Sequence, residues 1–291
     1  MSQKRSPWII LVLVLTVLTL VSFSMIPLLG GFFQQNQPSA GANPGATPTI
    51  SPQERSELEL QAKGYELVLQ REPDNKTALL ELLETRLKLG DIPGAITPLE
   101  RLAKLNPDQT EYGVLLAQAK QQIGNREGAA QAYRSILKSH PGDMNALQGL
   151  VNLLLQQNRP EAAIGLLQDT LKTATPINEI KPGTINVASV QLLLGEVYAT
   201  QKRYTEAIAI YDQSIKGNQQ DWRPLLAKAL ILKEQGKTTE AEPLFEQAIS
   251  LAPAKYKDQI KQRAKESSQP PTSSPSNTTL DRRETLPSEN Q

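Results

Sequence analysis

Few residues in this chain have side chains suited to chemistry. Among 291 residues there is no cysteine and one histidine, His140, which precedes Pro141 as in a surface turn. The lack of cysteine excludes disulfides, thiolate metal ligands and a cysteine nucleophile, and a single histidine argues against metal clusters and catalytic triads. The carboxylates show no paired arrangement, and no glycine-rich phosphate loop occurs. We therefore expect that the protein is not an enzyme and binds no metal or cofactor.

The charge of the chain argues against nucleic acid as a partner. Lysine and arginine number 31, and aspartate and glutamate number 30, which gives a net charge of +1. The basic pairs Lys202-Arg203 and Arg282-Arg283 are too short to form a phosphate-binding patch. Composition therefore favours a binding protein or a scaffold over an enzyme or a nucleic-acid-binding protein.

A long apolar segment lies near the N-terminus. Residues 8–29 are nearly all Leu, Val, Ile, Phe, Met, Thr or Ser. A helix of this length spans roughly 33 Å, enough for a bilayer core of about 30 Å. Trp8 and Phe32-Phe33 suit the two membrane interfaces, so we predict an uncleaved transmembrane helix. The alternative is a signal peptide cleaved near Ala40-Gly41-Ala42, but the apolar run exceeds the ~7–15 residues of a signal core.

The charges around this segment predict its orientation. Lys4 and Arg5 are the only charged side chains before Glu54. The positive-inside rule therefore keeps residues 1–7 in the cytoplasm and places the rest of the chain in the periplasm or lumen. We expect a single-pass protein of a bacterial inner or plasma membrane or of a thylakoid membrane.

Two further segments favour disorder. Residues 30–53 carry no charge and are rich in Gly, Pro, Ala, Gln and Ser, which predicts a flexible linker. Residues 267–291 are rich in Ser, Thr, Pro and Asn, which predicts a disordered tail. The folded domain is therefore expected over residues 54–266.

The sequence of this domain repeats with a fixed period. Pro73, Pro107 and Pro141 are 34 residues apart. A period of that length with two helical stretches in each unit predicts a solenoid of stacked helix pairs. Between the paired helices stand residues that tolerate a left-handed backbone. These are Gly90, Gly124, Asn158 and Gly236. One unit departs from this pattern and has Lys202-Arg203 at the turn.

The repeated positions resemble the tetratricopeptide repeat (TPR). One unit is similar to the family pattern Leu-Gly-x-x-Tyr followed by Ala-x-x-x-Phe, with Leu194, Gly195, Tyr198, Ala207 and Tyr211. The alanine of the second helix recurs in five units, as Ala95, Ala129, Ala163, Ala207 and Ala241. Other residues replace the tryptophan of the family pattern throughout. The resemblance implies an all-α fold, a right-handed TPR superhelix (an α-solenoid) that follows the transmembrane helix.

The period sets the expected boundaries of the repeats. Five full units are expected, over residues 76–109, 110–143, 144–177, 188–221 and 222–255. A leading half repeat at 52–70 and a polar capping helix at 255–266 complete the solenoid. About ten extra residues at 176–187 break the period, and we expect them to form a tolerated surface loop.

The resemblance also implies a concave groove that binds a partner protein or peptide. The expected groove residues come from the first helix of each unit and lie four apart, so each pair shares a helix face. They are Leu80, Glu84, Val114, Gln118, Gln148, Asn152, Leu192, Glu196, Leu226 and Leu230. Related co-chaperones hold acidic tails with a Lys and Asn clamp, and Leu80 and Glu84 replace it here. We therefore expect a partly apolar or basic ligand, while packing between units is the alternative role of the leucines.

Three functions fit this organisation. The first is a membrane-anchored scaffold or assembly factor, similar to single-pass TPR proteins of cyanobacteria and plastids. The second is a periplasmic chaperone-like TPR protein that acts beside the translocon or in cytochrome maturation. The third is a structural protein that self-associates through the ends of the solenoid. One stoichiometric partner, many unfolded clients or a concentration-dependent mass would distinguish them.

Overall fold

A computed structural model describes residues 50–266, and this part of the chain is helical, without strands. The helices are α1 (Pro52–Arg71), α2 (Lys76–Lys88), α3 (Ile92–Leu105), α4 (Thr110–Gln122), α5 (Arg126–Ser139), α6 (Met144–Gln156), α7 (Pro160–Ile180), α8 (Val187–Thr200), α9 (Tyr204–Gly217), α10 (Trp222–Glu234), α11 (Thr238–Leu251) and α12 (Ala254–Glu266). Helix α1 is followed by five helix pairs and then by α12. The predicted all-α class is therefore confirmed for the described residues.

The transmembrane helix predicted at residues 8–29 lies outside the described residues, and so do nearly all of the linker and the tail predicted at 267–291. Among the helices of residues 50–266, none has both the length and the apolar character needed to cross a membrane.

The described helices belong to two compact units. The first ends at Gln219 and the second begins at Gln220. In the first unit, each helix from α1 to α8 packs against the next one along the chain. In the second unit, α11 packs against both α10 and α12. There Ile260 of α12 is fully buried, and the rings of Trp222 and Tyr256 lie 5.2 Å apart between centroids.

Small residues allow the paired helices to approach each other. The five second-helix alanines predicted from the repeat are all 0% exposed: Ala95, Ala129, Ala163, Ala207 and Ala241. Glycine in the first helices allows similar close approaches, because a Cβ at Gly195 would collide with the ring of Tyr211 in the same pair and one at Gly149 with the ring of Tyr133 in the preceding pair. Both tyrosines are buried, so these close approaches contribute to the core within one repeat and between two neighbouring repeats.

The turn between the paired helices has the same backbone conformation in all five pairs. Gly90, Gly124 and Gly236 have positive φ angles of 72°, 81° and 77°, and Asn158 has a φ of 56°. The sequence pattern predicted these four positions. Lys202, at which the pattern departs, has a φ of 58°. The turn geometry is thus kept even where the residue that favours it is missing, because the flanking helices fix the backbone.

Backbone hydrogen bonds show how these turns end the first helices. In the exceptional turn, the Arg203 amide donates to the Tyr198 carbonyl at 2.9 Å and the Lys202 amide donates to the Ala199 carbonyl at 2.8 Å. Equivalent pairs of bonds close the other four turns. This double closure satisfies carbonyls that the end of a helix leaves unpaired.

The prediction of a surface loop at residues 176–187 is wrong for the first part of this segment. Helix α7 continues through Pro176 and ends at Ile180, so it has 21 residues, whereas the other second helices have 14. Pro176 is exposed and removes a single amide donor, which the helix tolerates here. A break in the repeat period shows where residues are added but not which structure they take.

The rest of the insertion is a short turn that packs on its surroundings. The Asn178 side-chain amide donates to the Ile185 carbonyl at 2.8 Å, and the Ile185 amide donates to Asn178 Oδ1 at 2.9 Å. Ile185 is 1% exposed. The carbonyl of Thr184 lies against Gly142, in the turn between α5 and α6. The insertion therefore packs against an earlier part of the solenoid.

Candidate functional site

The ten predicted groove residues lie on the first helices of the five pairs. We call the part in the first unit the first-helix face, and it comprises Leu80 and Glu84 of α2, Val114 and Gln118 of α4, Gln148 and Asn152 of α6, and Leu192 and Glu196 of α8. Helix α4 packs against α6, and α6 packs against α8. The structure therefore brings the predicted residues of these three helices onto neighbouring elements. Leu226 and Leu230 belong to α10 in the second unit.

Exposure divides these residues into three groups. Gln148 and Asn152 are exposed, and most of the others are half-buried. Val114 and Leu226 are only 6% and 3% exposed, so their side chains are used in packing. This is the alternative role considered for the apolar positions. A binding role remains a prediction for all ten residues.

A side-chain hydrogen bond links two of the first helices. Gln121 Nε2 of α4 donates to Gln156 Oε1 of α6 at 2.8 Å. Both residues lie near the C-terminal ends of their helices, beyond the predicted binding residues. The bond supports the side-by-side arrangement of α4 and α6.

Gln118 has a buried acceptor that no described residue satisfies. Its Oε1 has almost no solvent contact and receives no hydrogen bond from residues 50–266. A buried polar atom without a partner has a free energy cost of about 1–3 kcal/mol. An amide or ammonium donor from a ligand would remove this cost once a change of the Gln118 rotamer turned the oxygen to the surface.

Glu196 is a second acceptor on this face without a partner in the described part of the chain. Burial raises the pKa of its carboxyl group, and no described residue gives it a hydrogen bond or an ion pair. Burial then raises the pKa of the neighbouring Tyr211, and the charge of Glu196 raises it further. A cation close to Glu196 would favour its charged form and oppose the effect of burial.

The carboxylate of Glu84 has a different environment. It pairs with Lys88 Nζ at 2.8 Å, one helical turn further along α2. The half-exposed pair lies at one end of the first-helix face, so acceptors that lack donors occur on α4 and α8 rather than on α2. Between α4 and α8 lie the exposed amides of Gln148 and Asn152 on α6.

No site for a metal emerges from residues 50–266, where no three His, Cys, Asp or Glu side chains form a group that could hold an ion. His140 lies in the turn before α6, and its Nδ1 is 3.0 Å from Ser139 Oγ. The chemistry available on the first-helix face is therefore hydrogen bonding, charge pairing and apolar contact.

Sequence reasoning overlooked the outer side of α1. Leu60, Leu67 and Val68 are 68%, 58% and 40% exposed there, although the helix was expected only to cover the first repeat. The sequence contains a signal for this surface, because apolar residues occur on both sides of α1. A helix that packs against one neighbour needs apolar residues on one side only.

Comparison with known proteins gives one family and two curated relatives. The model of the family described as tetratricopeptide repeat matches residues 53–253. Protein SLOW GREEN 1, chloroplastic, of Arabidopsis thaliana is 28% identical over 189 residues, which are 65% of this chain and 58% of that protein. Cellulose synthase operon protein C of Pseudomonas fluorescens is 30% identical over 112 residues, 36% of this chain and 9% of that protein. The chain spans less than two thirds of the length of either relative.

Solved structures of MamA match part of this chain. One crystal structure of MamA is 21% identical, with a TM-score of 0.41, and the match covers 63% of this chain and 94% of that one. MamA of Desulfovibrio magneticus is 17% identical, with a TM-score of 0.39 and coverages of 66% and 94%. The repeat period, the buried alanines and the match over residues 53–253 together assign the family: the chain belongs to the tetratricopeptide repeat proteins.

Proposed function

We propose that the protein is a membrane-anchored scaffold or assembly factor that binds a segment of a partner protein on the first-helix face. TPR proteins mediate protein–protein interactions, and this supports the general part of the proposal. The observation that carries the specific part is the pair of acceptors without donors, Gln118 Oε1 on α4 and the Glu196 carboxyl on α8.

The chemistry of this face defines the partner segment. Two acceptors that lack donors would be satisfied by the amides of an extended backbone or by Lys and Arg side chains. Leu80 and Leu192 are half-buried residues of the same face and offer apolar contact. The partner segment is therefore basic and partly apolar. An acidic tail is excluded from the proposal because the face has carboxylates and amides where such a tail needs cations.

The membrane part of the proposal rests on sequence alone. Residues 8–29 have the length and apolarity of a transmembrane helix, and Lys4 and Arg5 favour a cytoplasmic N-terminus. The repeats would then lie in the periplasm or in a lumen. One relative is named as chloroplastic, which is compatible with a thylakoid membrane.

The proposal is tested by crosslinking and affinity purification of the full-length protein from solubilised membranes. The binding variant is Gln148→Arg with Asn152→Arg, because both side chains are exposed and the new cations would repel a basic segment. The matched control is Gln131→Arg with Ser135→Arg, which adds the same charges at the same spacing on exposed positions of α5.

We expect one or a few proteins to copurify with the wild type and the control and to disappear with the α6 variant. If the α6 variant keeps every partner, the first-helix face does not bind them and the proposal is wrong. Recovery of many unfolded proteins in place of one complex would favour the chaperone-like alternative. Recovery of the protein without alkali-resistant membrane attachment would contradict the anchor.

A further inference from the structure

Helix α1 has two different sides. Its inner side packs on α2, where Ala62 is 1% exposed and Glu66 pairs with Arg86. Tyr65 Oη also donates to Glu81 of α2 at 3.4 Å. These contacts explain how α1 is attached and leave its opposite side exposed.

The exposed side has an unusual composition for a surface. We call it the α1 outer face, and it comprises Gln53, Glu57, Leu60, Gly64, Leu67, Val68 and Arg71, which are all exposed. Their spacing of three, four and one residues keeps them on one side of a helix. Leu60 and Leu67 are 68% and 58% exposed. Grouped apolar residues at a surface mark an interaction site more often than single ones do.

The residues of this face are arranged symmetrically about Gly64. A Cβ at Gly64 would have no atom within 4 Å, so the helix has open space at its centre. Apolar residues follow on both sides, and Glu57 and Arg71 stand seven residues before and after Gly64. At about 1.5 Å per residue, each charge is about 10 Å from the centre, in opposite directions.

We propose that the α1 outer face binds the same face of a second copy of this chain, with the two helices antiparallel and crossing at Gly64. A two-fold axis at Gly64 places Glu57 of each copy opposite Arg71 of the other, which gives two ion pairs. It also places Leu60 opposite Val68. Glycine at the crossing allows the short end of the usual 8–10 Å distance between helix axes.

The charges favour a second copy over a membrane surface. Amphipathic helices that lie on membranes carry Lys and Arg on the polar side. Here the apolar strip has one acid at one end and one base at the other, a pattern that complements itself in the antiparallel orientation. One helix face on each copy gives a small interface, and such interfaces are weak and depend on concentration. The predicted self-association would then occur through α1, at one end of the solenoid.

The orientation is tested with thiols, since the natural chain has none. Full-length Glu57→Cys and Arg71→Cys proteins are oxidised separately and as a mixture in a mild detergent. In the proposed dimer only positions 57 and 71 of different copies come within disulfide distance. In the mixed dimer one Glu57–Arg71 ion pair is also retained at the other end. We expect a covalent dimer from the mixture and little from either protein alone.

Charge reversal provides an independent test. Sedimentation of full-length Glu57→Arg and of Arg71→Glu should each show about fivefold weaker association, since two exposed ion pairs become two repulsive pairs. The protein with both substitutions restores the pairs and should associate like the wild type. A disulfide between position 57 of one copy and position 57 of the other would overturn the proposal. So would a mixture that gives no covalent dimer because another segment covers the face. The proposal is also overturned if the double variant associates as weakly as the single variants.

Discussion

The carbonyl oxygen of Thr184 lies so close to the Cα of Gly142 that a Cβ on that residue would overlap it. These residues are 42 positions apart and come from two different turns, one inside the insertion and one between α5 and α6. The insertion therefore contacts the preceding repeat through a site where only glycine fits.

The first prediction concerns this contact. Gly142→Ala should destabilise the protein by about 2–3 kcal/mol, because the methyl group meets backbone atoms that cannot rotate away. The measurement is the midpoint of urea unfolding followed by circular dichroism. The matched control is Gly165→Ala inside α7, where a Cβ would have no atom within 4 Å. Alanine there should stabilise by about 0.5–1 kcal/mol. Equal effects of the two substitutions would show that the contact is absent.

The second prediction concerns the turn of the insertion itself. Asn178→Ala removes both hydrogen bonds to the Ile185 backbone and should lower the free energy of unfolding by about 1–2 kcal/mol. Glu179→Ala, at the exposed neighbouring position, is the control and should have little effect. Deletion of residues 177–186 should then destabilise the fold more than either substitution, since it also removes the buried Ile185. If the deletion protein is as stable as the wild type, the insertion is a tolerated loop that does not stabilise the fold.

The helices and the core were predictable because their signals are local and periodic. The alanine that recurs in each second helix is fully buried in all five units, as the close packing of helix pairs requires. The contact between Thr184 and Gly142 was not predictable, because the broken period gives no information on how the added residues fold. On the candidate site, the sequence placed Val114 and Gln118 together on one helix face. It could not show that Val114 is buried while Gln118 retains an acceptor without a donor, since this depends on the packing of neighbouring repeats.

The third prediction uses the turn with Lys202. A lysine with φ of 58° has a strained backbone, and the three glycine turns show which residue suits this conformation. Lys202→Gly should therefore stabilise the protein by about 0.5–1 kcal/mol in thermal or urea unfolding. Loss of glycine at an equivalent turn, Gly124→Ala, should destabilise the protein by about 1 kcal/mol. That glycine has φ of 81° and open space around it, so strain rather than collision would cause the loss. No gain from Lys202→Gly would mean that the turn is relaxed with lysine.

The fourth prediction concerns pH and Glu196. Burial raises the pKa of this carboxyl group above its ordinary value of 4.5, so the folded state holds the proton more strongly than the unfolded state does. The stability contributed by the protonated group is complete below the unfolded pKa and is lost as the pH rises through the folded pKa. Glu196→Gln stays neutral, so it should match the wild type in acid and become the more stable protein as the pH rises from about 4.5.

Glu206, in the same unit, provides a control because its pKa is shifted in the opposite direction. Its pKa is lowered, first by the hydrogen bond from the Arg203 side chain, whose Nε lies 2.8 Å from Glu206 Oε1. Its contribution to stability is therefore present above the unfolded pKa and lost as the pH falls. Glu206→Gln should become the less stable protein as the pH rises, while Glu196→Gln becomes the more stable one. Urea unfolding of both variants between pH 4 and pH 7 measures this divergence, and parallel curves would contradict the assignment of Glu196 as a desolvated acceptor.

Addition of a basic peptide that binds the first-helix face should reduce the advantage of Glu196→Gln, because a cation beside Glu196 favours the charged form.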